Sequence, residues 1–147
     1  MQSVRPWLYV GNHFATEDLN LLSKHGIGAM LQLFNSVQQP GIASLYIPVE
    51  DGYPLIPAVF SMGVSFVRSQ KADGKRVLIA CGAGISRSTS VAIAILKEEE
   101  GLSLSEAFLA VRAANPRALP DQIHWESLCM HYYEDTSFWD LWRTAEL

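Results

Sequence analysis

The stretch that most constrains the fold runs from Lys75 to Leu96, KRVLIACGAGISRSTSVAIAIL. Its first part, ending at Cys81, is a short apolar and β-branched run, which predicts a buried strand. Its last part is apolar at nearly every position up to the charged Lys97-Glu98-Glu99-Glu100. That pattern suits a buried helix that begins in the loop and stops at Gly101. Between them lies CGAGIS, a glycine-bearing turn that is either a plain strand-to-helix connection or a cradle that holds an anion against a sulfur.

The rest of the chain alternates in the same way. WLYVG, AMLQLF and SLYIPV are further short apolar runs bounded by Gly, Pro or polar residues, and read as strands. Thr16 is the expected N-cap of a helix that carries Leu19 and Leu22 on one face and ends at Gly26. Val59, Phe60, Gly63, Val64 and Val67 predict a helix from Pro57 to Lys71, with Asp73-Gly74 turning into the central strand. Ser103 and Glu106 form a capping box for a helix with Leu104, Ala107, Phe108 and Val111 on its inner stripe, ending before Asn115. One more helix follows Pro120, with Ile123, Leu128 and Tyr132 among its apolar positions. The expected architecture is a single α/β domain, a mostly parallel sheet of four to five strands flanked by helices. The catalytic unit would span residues 1–134. An aromatic tail at 135–147, with Phe138, Trp139 and Trp142, would pack on it or at an interface.

Composition narrows the partners. A net charge of -4 with 18% charged residues offers no global field for nucleic acid or an anionic membrane surface. No apolar run approaches the ~20 residues that cross a bilayer, and the N-terminus lacks a signal-peptide pattern. Only two cysteines, Cys81 and Cys129, are present, fewer than a disulfide scaffold usually carries. The reading is a soluble cytoplasmic protein whose thiols are reduced. Cys129 is expected in the core, with a resolving disulfide to an oxidised Cys81 a distant second. The histidines at 13, 25, 124 and 131 show no close ligand pairing, so no metal site is expected.

The loop carries the chemistry. A strand that runs into a helix through a short loop points free backbone N–H groups and the positive end of the helix dipole at one small volume, which suits phosphate. Gly82 and Gly84 are expected to permit positive φ and to clear the approach, so that amides of residues 82–87, Gly82, Ala83, Gly84, Ile85, Ser86 and Arg87, turn inward as a nest. Arg87 adds a two-pronged donor to phosphate oxygens. The same field favours a thiolate at Cys81. Other phosphate patterns fit worse: no Lys-Ser or Lys-Thr follows the glycines, as a Walker A loop requires, and Arg87 stands where a dinucleotide fingerprint has its third glycine.

Cys81, five residues, Arg87 and Ser88 resemble the active-site motif of cysteine-dependent protein phosphatases, and AGISRS is similar to the dual-specificity branch. VRPWLYVGN resembles that family's opening strand, SLYIPVEDGYP its general-acid segment, and ANPRALPDQIHWESLCMHYYE its closing region. The resemblance implies that Cys81 attacks phosphorus, and that Arg87 and the loop amides hold the equatorial oxygens. It implies further that Ser88 eases departure of the thiolate and that Asp51 is the general acid, with no cofactor or metal. Removing such an acid costs roughly 10²- to 10⁴-fold.

Two positions depart from the family pattern. Ala80 stands where the family usually has His, which is understood to organise the loop, and Asp121 where related proteins often have Asn after Pro. Asp51 alone would read as a turn residue beside Gly52. Its place after IPV and ahead of the cysteine favours the acid role, and strand alternation would point its neighbour Glu50 to the opposite face. The run from Glu98 to Glu100 reads as a solvated helix end. The substrate expected is a phosphoprotein or phosphopeptide. With no Lys or Arg at positions 82, 83, 85 and 86, inositol phosphates and an RNA 5′-phosphate are less favoured. A non-catalytic phosphopeptide-binding module, suggested by Ala80, is the reading from a different class.

Overall fold

The computed structural model describes residues 1–146. Five strands form one sheet in the order β1-β2-β5-β3-β4: β1 (Gln2–Arg5), β2 (Leu8–Asn12), β3 (Ile27–Gln32), β4 (Ala43–Tyr46) and β5 (Arg76–Cys81). β1 pairs antiparallel with β2, and all other pairs are parallel. β5 is central because its apolar side chains are buried on both faces, as strands of parallel sheets require. Period-two alternation divides them. Val77, Ile79 and Cys81 face the large core with Leu8, Val10, Ala29 and Leu31, whereas Leu78 and Ala80 join Tyr9, Ala15, Leu22 and Met30 on the other face.

Helices cover both layers. α1 (His13–Glu17) and α2 (Leu19–Lys24) close the smaller face. α3 (Pro57–Ala72), α4 (Arg87–Glu100), α5 (Leu104–Ala114) and α6 (Gln122–Tyr132) close the larger one. α4 is buried from Arg87 to Leu96 because it is enclosed by α3, α5, α6 and the sheet. Gly101, at φ 69°, ends it with an amide bonded to the Lys97 carbonyl. The capping box of α5 is complete.

Four expectations change. The predicted single helix before Gly26 is two: Asn12 Oδ1 accepts from the Ala15 amide to cap α1, and Asp18 Oδ1 accepts from Leu21 to cap α2. Thr16 is therefore buried inside α1, where its hydroxyl donates to the His13 carbonyl, and Leu19 is exposed at the start of α2 while Leu22 is buried. Glu50 lies beyond β4, so strand alternation does not apply to it. Of the loop glycines only Gly84 has positive φ, 75°. Glu98 and Glu100 are exposed, as a solvated helix end requires, and the run also makes surface contacts: Glu98 accepts from the Tyr132 hydroxyl, Glu99 pairs with Arg68 and Lys71, and Glu100 accepts two hydrogen bonds from Arg5 at 2.8 Å each. The tail forms α7 (Phe138–Glu146), which packs on α5 and α6 through Leu141, 1% exposed, and Phe138, leaving Trp139 and Trp142 exposed. Among the described residues no helix is long and apolar enough to cross a membrane.

Candidate active site

Cys81 is the last residue of β5 and Arg87 the first of α4, so the loop joins the C-terminal end of the central strand to a helix N-terminus. In open α/β sheets this end of the strands is where ligands bind. The Cys81 sulfur is 2% exposed as part of a buried residue, accepts the Gly84 amide at 3.2 Å and lies 3.3 Å from Ser88 Oγ. Ser88 is fully buried on the first turn of α4, which fixes its hydroxyl under the sulfur. The amides of Ala83, Ile85 and Ser86 donate to no protein acceptor among the described residues. Unpartnered N–H groups at a helix start are what an anion requires.

The two glycines serve different purposes. A Cβ at Gly82 would stand 2.8 Å from Arg87 Nη2, so its hydrogen leaves room for the guanidinium. A Cβ at Gly84 would stand 2.8 Å from the Gly11 carbonyl carbon and 2.9 Å from the Asn12 nitrogen, so the loop rests directly on the end of β2. Other segments hold the loop from outside. Asn115 Nδ2 donates to the Gly84 carbonyl at 3.4 Å and the Leu119 amide to Ile85 at 3.2 Å. His13, on α1, donates through Nδ1 to the Gly82 carbonyl at 2.9 Å.

Arg87 is 8% exposed and joins the loop to the acid segment. Its Nη1 donates to the Val49 carbonyl at 2.9 Å, and its Nε lies 3.8 Å from Asp51 Oδ1, an ion pair too long for a hydrogen bond. The guanidinium sits 5.6 Å from the centre of the Phe34 ring. An open cleft of about 330 Å³ lies above it, walled by Phe34, Tyr46, Pro48, Val49, Glu50 and Asp51. Glu50 and Asp51 therefore border the same cleft.

A third segment reaches the phosphate loop. The Asp121 amide donates to Ser86 Oγ at 2.7 Å, and the same oxygen lies 2.6 Å from Nδ1 of the fully buried His124. Burial holds the His124 imidazole below its ordinary pKa. Ligand-type atoms of Asp51, Asp121 and His124 lie within 4.8 Å of one another. Sequence spacing did not show this grouping. Nδ1 of His124 is engaged by Ser86, and Arg87 supplies positive charge beside Asp51.

The fold thus brings Cys81, Ser88, Arg87 and Asp51 to one place, with Gly82, Ala83, Gly84, Ile85 and Ser86 forming the loop between them. Ala80, 2% exposed, points into the opposite core among Tyr9, Ala15 and Met30. The loop is clamped by His13 instead, a role with no signal in the sequence. Asp121 was marked only by its departure from the related pattern. Cys129 is half-buried against the core, its thiol 3.5 Å from the Thr136 carbonyl, and burial pushes that thiol's pKa up. Both cysteines are free.

The family description "Dual specificity phosphatase, catalytic domain" fits residues 8–134. Mouse Dual specificity protein phosphatase 15 is 34% identical over 125 residues, covering 82% of this chain and 53% of its own length. The chain thus spans about half of that relative. Among solved structures, human DUSP28 superposes with a TM-score of 0.83 at 26% identity, covering 100% of both chains. A mouse dual specificity phosphatase complexed with zinc tungstate superposes equally well, TM-score 0.83, at 30% identity over 88% of this chain and 84% of its own.

Proposed function

The chain belongs to the dual specificity phosphatase family, and we propose that it is a protein phosphatase that hydrolyses phosphotyrosine, and also phosphoserine or phosphothreonine, through a phosphocysteine intermediate. The observation that carries this is the position of Arg87 and Asp51, side by side at the cleft, above a loop whose amides and sulfur converge on one volume.

In the first step the Cys81 thiolate attacks phosphorus, an S–P bond forms and the P–O bond to the side-chain oxygen breaks. Arg87 and the unpartnered loop amides hold the three equatorial oxygens as charge moves between nucleophile and leaving group. Asp51 gives its proton to the departing phenoxide or alkoxide. In the second step Asp51 takes a proton from water, which attacks phosphorus, and the Ser88 hydroxyl donates to the sulfur as it leaves. The positive charge comes from the chain's own guanidinium and backbone, so no step calls for a metal. Tungstate, held by the mouse relative, is a tetrahedral oxyanion of the kind this loop would bind.

The aromatic walls Phe34 and Tyr46 suit a phosphotyrosine ring. Absence of basic side chains at loop positions 82, 83, 85 and 86, with Glu50 at the rim, disfavours polyphosphorylated lipids and nucleic acid. Residues 1–134 make the catalytic unit and 135–146 an element packed on it, with Leu147 outside the described residues, and the free thiols fit a cytoplasmic setting. The test is hydrolysis of an aryl phosphate in the presence of a chelator. Wild-type turnover that vanadate inhibits, no turnover by Cys81→Ser and a ~10²- to 10⁴-fold loss in Asp51→Asn are expected. Undetectable wild-type turnover with phosphopeptide binding retained would make the chain a binding module.

A further inference from the structure

We propose that Asp121 is a positioning residue for the general acid, its carboxyl group and that of Asp51 forming a pair that shares one proton at the edge of the cleft. The inference rests on the reading of Asp51 as the acid. Three observations converge on it.

The first is a helix cap left unused. Asp121 occupies the N-cap of α6, where an aspartate normally accepts the amide of the second or third helical residue. Asn12, Asp18 and Ser103 all do so in this chain. The Asp121 side chain makes no such bond. It lies instead with its oxygens in the group that includes Asp51 and His124, Oδ2 at 3.9 Å from His124 Nδ1.

The second is how the residue is held. The Asp121 amide is anchored on Ser86 Oγ, within the phosphate loop, and Ser86 is pinned in turn by the buried His124. The backbone of Asp121 is thereby tied to the phosphate loop that carries Arg87.

The third is charge. Groups facing Asp121 are Asp51 from the acid loop, Arg87 from the phosphate loop and His124 from its own helix. Burial, and then the Asp51 carboxylate, push the Asp121 carboxyl above its ordinary range, against the opposing pull of His124 and Arg87. A carboxyl group beside another carboxylate ionises less readily.

The proton balance is simple. The singly protonated pair loses its proton through Asp51 to the leaving oxygen as the P–O bond breaks. It regains one from water as the S–P bond breaks. Asp121 keeps the proton beside Asp51 at pH values where a lone aspartate has lost it, which extends the reaction towards neutral pH.

Asp121→Asn is the test, because the amide keeps the shape but cannot ionise. Two readouts are needed, carboxyl carbon NMR titration and the pH profile of kcat. In wild type the pair titrates in two steps, the upper one absent from Asp121→Asn. With an aryl phosphate whose leaving group needs protonation, the basic limb of kcat moves down by about one pH unit, roughly tenfold in rate above the limb, at constant KM. With a leaving group that departs unprotonated, kcat/KM, which reports the first step alone, is unchanged. A wild-type titration without the upper step, or coincident kcat profiles beside a strongly impaired Asp51→Asn, overturns the proposal while leaving the phosphatase reading intact. Absence of Cys81-dependent turnover in wild type overturns the phosphatase reading, and the titration then decides the pair alone.

Discussion

Gly82 and Gly84 look interchangeable in CGAGIS, yet their neighbours separate them. A methyl group at Gly82 meets the far end of a flexible side chain, Arg87 Nη2, which can move aside. Gly82→Ala should therefore fold with near wild-type stability while raising KM and lowering kcat for an aryl phosphate. A methyl group at Gly84 meets backbone of β2, at a φ of 75° that disfavours any Cβ. Gly84→Ala should cost about 2 kcal/mol or more in urea unfolding, since the left-handed backbone alone costs roughly 1–2 kcal/mol. Equal effects of the two on stability would contradict this division. At this scale the sequence disclosed the residues that share a loop: Cys81, Arg87 and Ser88 are near neighbours, and one turn of chain settles their geometry. It did not disclose His13, Ser86 as a bridge, or His124, because their contacts join segments 35 to 69 residues apart.

Among the elements, α4 connects chemistry to framework, since its first turn carries Arg87 and Ser88 and its last carries Glu98, Glu99 and Glu100. Glu99 is joined to α3 by Arg68 Nε at 2.6 Å and Lys71 Nζ at 3.3 Å. The Arg68 hydrogen bond leads in holding the Glu99 carboxyl below its ordinary range. A depressed carboxylate stabilises the fold above its unfolded pKa, and that contribution disappears as pH falls through the depressed value. Glu99→Gln should accordingly lose about 0.5–1 kcal/mol at pH 7, a modest amount for pairs near solvent, and the difference should close in acid. Urea unfolding at both pH values reads this directly, and a difference that grows in acid would contradict it. The long elements were legible because period and caps agree, as in α3 and α5. β1 was missed because Gln2-Ser3-Val4-Arg5 is short and largely polar. The break between α1 and α2 was missed because Asn12 and Asp18, two caps, stand so close that the pattern reads as one helix.

At the scale of the molecule, the sheet separates a large core, which positions the loop, from a small one closed by α1 and α2. α7 extends the large core. Leu141→Ala should cost about 2 kcal/mol or more by leaving a cavity, whereas Trp142→Ala, at an exposed position, should stay within ~0.5 kcal/mol. Far-UV circular dichroism in urea separates them, and equal midpoints would mean that α7 is not part of the folded unit. The whole architecture directs one end of the central strand at a single cleft, and the central claim is that Cys81 there forms a bond to phosphorus. Rapid acid quench during turnover of an aryl phosphate, followed by peptide mass spectrometry, tests it most directly. The account predicts one phosphoryl group on the peptide containing Cys81, present in wild type and absent from Cys81→Ser. Active turnover with no phosphoryl adduct on Cys81, or with the adduct on another residue, would contradict it.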